Sequence, residues 1–185
     1  MKKHLMPVLC ACIAIVSLIS GSEAQNVSGK NPAVKKLRDL FFERDFSTGY
    51  ETGQKLLKRF PNDDELRMWV VLNGARAIGN NKAALQMANE MALRKADSVP
   101  ALIALATANS YNGKFADALK VAENAVKLAP DNEEVIFTYN NVIFRSDKYT
   151  DSVEWLDKNA DKIMDKSRFY YSRALSNYQA GKKDS

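Results

Sequence analysis

The chain has 185 residues, with 27 Lys and Arg against 22 Asp and Glu for a net charge of +5, and it holds two cysteines and one histidine. His4, Cys10 and Cys12 all fall in the first twelve residues, so the remainder has neither thiol nor imidazole. That remainder cannot build a disulfide, a Cys/His zinc site, a Ser-His-Asp triad or a Cys-His pair, which leaves little beyond carboxylates for catalysis.

The first element in chain order reads as a leader. Lys2 and Lys3 give a positive start, Leu5 to Ile19 is apolar apart from Pro7 and Ser17, and Ser22-Glu23-Ala24 offers small residues where a signal peptidase cuts. This is the pattern of a secretory signal peptide over residues 1–24, with an apolar run too short for a comfortable membrane span. The expected location is therefore outside the cytoplasm, periplasmic or extracellular. A lipoprotein signal acylated at Cys12 fits less well, because apolar sequence continues past it. An uncleaved N-terminal anchor is the other membrane association the sequence offers. Residues 25–32 read as a short linker, and Asn26-Val27-Ser28 is a glycosylation sequon in a eukaryotic context. Loss of Lys2, Lys3 and Glu23 leaves a net charge of +4, its positives scattered among acids as on a solvated surface, so no nucleic-acid footprint is expected.

From residue 33 the apolar spacing is helical throughout, and no stretch shows the period-two alternation of a strand. Helices are predicted near 33–43, 47–59, 65–78, 82–95, 99–112, 116–128, 133–146, 150–163 and 168–180. Asp63 or Asp64 is placed to cap the third, and Pro100 suits the first turn of the fifth. Asp131 is placed to cap the seventh, with Glu134 as its capping-box partner. The sixth, within GKFADALKVAENAVKLAP, carries Ala118, Ala122 and Ala125 on one face, where small side chains admit a second helix closely. Asp63-Asp64 and Glu133-Glu134 stand at helix starts, where the helix dipole explains them without catalysis.

These segments repeat. GKFADAL at 113–119 has counterparts in GNNKAAL from Gly79 and DKYTDSV from Asp147, each 34 residues away, and in RDFSTGY from Arg44, a further 35 upstream. Gly113-Lys114-Phe115 is followed by Ala118 and Ala125 and closed by Pro130; Pro61 closes an earlier unit. On these residues the chain resembles the tetratricopeptide repeat family over essentially its whole length beyond the leader. The resemblance implies an all-α fold, a right-handed α-solenoid of about four stacked helix-turn-helix units plus a terminal helix. The array spans 33–185, with units near 30–64, 65–98, 99–132, 133–166 and a partial one at 167–185. Helix B of each unit would then lie against helix A of its own unit and of the next, which accounts for the alanines. The segment SRFYYSRALSNYQAG reads as a capping helix, although Gly181-Lys182-Lys183 resembles the start of a turn into a further helix.

In that family the A helices line a concave groove that holds a peptide or partner helix, and the resemblance implies a non-catalytic scaffold with a protein or peptide partner and no cofactor or metal. The positions it turns towards the groove are Trp69, Asn73 and Arg76 in the second unit and Thr107 and Tyr111 in the third. Phe137, Asn141 and Arg145 follow in the fourth, then Tyr171 and Tyr178 in the last helix. Trp69 reads equally as core, and Phe137 and Tyr171 also suit packing. Asn73 and Asn141 share one position of the repeat, suited to holding a peptide backbone; Arg76 and Arg145 share another, which makes one groove edge basic and suited to an acidic peptide. The lysine- and arginine-based carboxylate clamp of some family members is not matched, because Trp69 stands where its first lysine belongs. The alternative is an interaction module of an exported enzyme or of a cell-envelope assembly.

Overall fold

The computed structural model describes residues 31–183. Among these residues the chain forms nine helices and no strand: α1 Pro32–Phe42, α2 Phe46–Leu57, α3 Asp64–Arg76, α4 Asn81–Arg94, α5 Val99–Tyr111, α6 Phe115–Leu128, α7 Glu133–Arg145, α8 Tyr149–Lys158 and α9 Lys166–Lys183. The signal peptide expected over residues 1–24 and most of the expected linker lie outside the described residues. No described helix is long and apolar enough to cross a membrane.

Each odd-numbered helix pairs with the even-numbered helix after it, and α3, α5 and α7 also pack on the odd-numbered helix before them. The result is a stack of four helical hairpins closed by α9. The tight turns between the helices of a hairpin follow one recipe. Arg44, Gly79, Gly113 and Asp147 take left-handed backbone, with φ of 63°, 82°, 76° and 59°. In three of these turns the next amide reaches back five residues, as Lys114 N does to Asn109 O at 2.9 Å, which closes the helix end. Starts are capped by Asn31, Asp45, Asp63 and Asn132, whose side-chain oxygens accept from amides of the first turn.

The alanine stripe is where the hairpins interlock. Ala118, Ala122 and Ala125 are fully buried on α6; the first two cluster with Ala106 of α5 and Val142 of α7. Ala84 and Ser152 at the equivalent positions of α4 and α8 are equally buried. In α2 the equivalent is Gly49, and a Cβ there would run into the Asn73 carboxamide.

Three local expectations are corrected. Asn132, not Asp131, caps α7, its Oδ1 accepting from Glu134 N at 3.0 Å and Val135 N at 3.2 Å; Asp131 pairs with Lys162 instead, and Glu134 with Arg168. Helix α8 ends at Lys158, five residues early. Asn159 fills the position that Ala125 holds in α6, and its amide turns back to Trp155 O at 2.9 Å, an alternative to continuing the helix. Residues 159–165 then form turns that bury Ile163 beside Ile136, Leu156 and Phe169. Finally, Gly181 does not begin a turn; α9 runs through it to Lys183.

Candidate functional site

The C-terminal ends of α1, α3, α5 and α7 fall side by side, and their last residues are Phe42, Arg76, Tyr111 and Arg145. The spacing is 34, 35 and 34, the longer interval arising because the α3–α4 turn, residues 77–80, has one residue more than its counterparts. Aromatic and arginine side chains therefore alternate along one edge. The Arg76 guanidinium lies 4.0 Å from the Phe41 ring centroid and 5.3 Å from that of Tyr111. The Arg145 guanidinium lies 3.8 Å from the centroid of the same Tyr111 ring, which the two arginines share. Arg76 Nε donates to the Tyr111 hydroxyl at 2.6 Å, and Arg145 Nε to Ser110 Oγ at 3.2 Å. Stacking of this kind contributes about 0.5–2 kcal/mol per pair, more where water is excluded.

This edge is one wall of a cleft of about 670 Å³. Helix α9 forms the facing wall with Arg168, Tyr171, Ser172, Leu175 and Ser176; the floor is Phe137, Asn140, Asn141 and Phe144 of α7. The Arg168 guanidinium stacks on Phe137 at 3.8 Å, approaches Phe42 at 5.3 Å and is held by Glu134 through two bonds of 2.8 and 3.2 Å. Across the mouth, Arg44 Nη2 donates to Tyr171 OH at 2.7 Å, so the α1–α2 turn and α9 meet over the cleft.

The charge of the site is predominantly positive: Arg44, Arg76, Arg145 and Arg168 line the cleft against the single carboxylate of Asp165. Arg168 has its carboxylate in Glu134, but among the described residues neither Arg76, Arg145 nor Arg44 pairs with one. Burial lowers the Arg76 pKa; the Tyr111 hydroxyl works against that, and the positive charges of Arg168 and Arg145 add to it. An arginine resists deprotonation, so Arg76 stays charged and the cleft keeps a net positive field. One acceptor is also left over: Asn141 Oδ1 is buried on the cleft floor with no partner.

Of the residues expected in the groove, Arg76, Tyr111, Phe137, Asn141, Arg145 and Tyr171 line the cleft. Phe137 does so from a buried ring on which Arg168 rests. Tyr178 is exposed on α9 away from the lining. Trp69, Asn73 and Thr107 are buried elsewhere, and this is a correction. Trp69 packs edge-on against Phe41 and Phe42, with ring centroids 5.4 and 6.2 Å away. Asn73 donates to Leu37 O at 3.2 Å and Trp69 O at 2.9 Å, and so ties α3 to α1 within the core. For Asn73 the reason is the extra turn residue. A uniform period of 34 aligns Asn73 with Asn141, yet measured back from the helix ends Asn73 is equivalent to Val142, while Asn141 is equivalent to Leu72 and Thr107. Phe41, Phe42, Arg44, Phe46 and Arg168 also line the cleft and were not expected there. Counting from helix ends would have exposed Phe42, since it stands one period before Arg76.

Four hairpins of this length and turn geometry, stacked with their A helices innermost, make the fold that of a tetratricopeptide solenoid. Solved structures agree. TTC0263, a thermophilic TPR protein of Thermus thermophilus, matches with a TM-score of 0.65 at 16% identity over 82% of this chain and 83% of that one. The MamA protein matches with a TM-score of 0.50 at 18% identity over 82% and 85%. In sequence, no family model and no curated protein matches.

Proposed function

We propose that this chain is a non-catalytic scaffold that holds a segment of a partner protein in the cleft between the ends of α1, α3, α5 and α7 and the helix α9. The observation that carries the reading is the ladder of stacked rings and guanidiniums along the cleft. Rigid aromatic surface beside arginine donors is the composition that binding hot spots favour, and here most of those side chains are already held in place by their neighbours. Repeat solenoids offer this kind of extended concave surface without chemistry. The leader at residues 1–24 extends the proposal to an exported protein, and a secreted chain beginning at Gln25 by N-terminal sequencing is the expected outcome.

A photo-crosslinking residue placed at Ser172, within the cleft, tests the binding reading against one placed at Lys120 on the exposed side of α6. A partner caught from Ser172 and not from Lys120 is the expected result. Capture from Lys120 alone would move the interaction to the outer face and end the cleft assignment.

A further inference from the structure

We infer that the cleft selects an acidic segment, and that a carboxylate of the bound chain sits between Arg76 and Arg145 beside the Tyr111 ring. This rests on the scaffold reading and goes further by fixing the chemistry of the occupant. Both guanidiniums stack on Tyr111, at 5.3 and 3.8 Å from its centroid, and both commit their Nε to neutral partners. Their terminal Nη groups remain as donors, in the fork geometry that a carboxylate accepts. Stacking fixes the planes of these side chains beforehand, so an incoming anion does not have to order them.

Charge complementarity decides the class of occupant. A third guanidinium in the same cleft, Arg168, shows what balance looks like: it is neutralised in place by Glu134. Arg76 and Arg145 have no such counterpart among the described residues, and burial penalises the Arg76 charge while it stays unpaired. A basic segment would add to that penalty, and a purely apolar one would leave it standing. An acidic segment removes it. Asn141 lines the cleft floor with its Oδ1 unpartnered, and a turn of its carboxamide would bring that acceptor to a backbone N–H of the same segment. An extended acidic peptide satisfies both features, whereas a small inorganic anion leaves the Asn141 acceptor unmet.

Selection of random twelve-residue peptides displayed on phage tests this, with the full wild-type chain and its Arg76→Glu/Arg145→Glu variant as baits. Wild type should enrich Asp- and Glu-rich peptides, and the reversed cleft should lose them and enrich Lys- and Arg-rich ones. Synthetic copies of the winners should bind wild type at least tenfold more tightly than their Gln/Asn versions, and should weaken steeply between about 0.05 and 0.5 M salt as screened contacts do. The salt series needs no variant, so the inference stays testable even if the double reversal fails to fold, which circular dichroism would reveal. Photo-reactive copies report the location by mass spectrometry. Neutral winners crosslinked to Ser172 or Tyr171 would keep the scaffold reading and overturn the acidic one. Winners crosslinked to the outer faces, indifferent to the reversal, would overturn both, as would a cleft occupied by a second copy of the chain, seen as concentration-dependent dimerisation.

Discussion

Single residues in this molecule are fixed by contacts that a uniform repeat pattern hides. Gly49 and Asn73 are the clearest pair: the glycine occupies the place of Ala84 and Ala118, and the space an alanine methyl would use is taken by the Asn73 carboxamide. That carboxamide is held by two carbonyls, Leu37 O and Trp69 O, and cannot swing away without losing both. Gly49→Ala is expected to destabilise the chain by about 1–3 kcal/mol through overpacking, despite a gain of under about 1 kcal/mol in helix propensity. Denaturant melts check it, and Gly49→Ala/Asn73→Ala should cost less than the sum of the two single changes, because the clash is gone. Additive costs would mean that the two side chains do not compete for one space. Ser152 presents a second such case. Its hydroxyl donates to Asn140 Oδ1 at 2.7 Å and lies 2.7 Å from Ser176 Oγ, all buried where α7, α8 and α9 meet. Ser152→Ala restores the small apolar residue of the other units, yet it leaves Asn140 Oδ1 without that donor. A loss of about 1–3 kcal/mol in thermal or chemical melts is expected, and a neutral result would show that water replaces the hydroxyl.

At the scale of elements, the hairpins were legible from their sequence because local signals and period agreed. Glycine marked two of the tight turns, small residues marked each helix contact, and the nine predicted helices lie within five residues of the nine described. Ala118→Leu tests the contact itself: added bulk between α5, α6 and α7 should lower stability by about 1–3 kcal/mol, and a melt matching wild type would refute the packing role of the stripe. The candidate site was less legible, and the cause lies in one residue. The α3–α4 turn is longer by one, and the excess falls after Arg76, so everything in α3 is out of phase with a period counted from α5 and α7. A shift of one residue turns a helical side chain by about 100°, enough to carry Asn73 from groove to core. Arg76 escaped the error because it and Arg145 both end their helices. Arg168 was missed for a different reason. It belongs to α9, and its place is set by Glu134 and two rings on α7 and α1 that lie far away in sequence.

For the whole molecule, the question is how far a change at one end is felt at the other. In a stack of hairpins each unit touches its neighbours, so stability should be close to a sum of local terms and the terminal helix should open first. Here α9 rests on α8, with Arg173 bonded to Asp157 at 2.5 and 3.0 Å, and reaches α7 through Arg168 and Glu134. The same helix also meets the opposite end of the array, Arg168 against Phe42 and Tyr171 against Arg44. Those end-to-end contacts are surface pairs worth about 1 kcal/mol or less each. The nearest-neighbour rule should therefore survive the closure of the cleft. Arg168→Ala removes the ion pair and both stackings at once. Amide exchange should then speed up within 166–183 and the first turns of α7, while α3 to α6 keep their protection. Exchange that rises evenly along the chain would show instead that the closed cleft couples the two ends, and that the array unfolds as one unit rather than from its final helix.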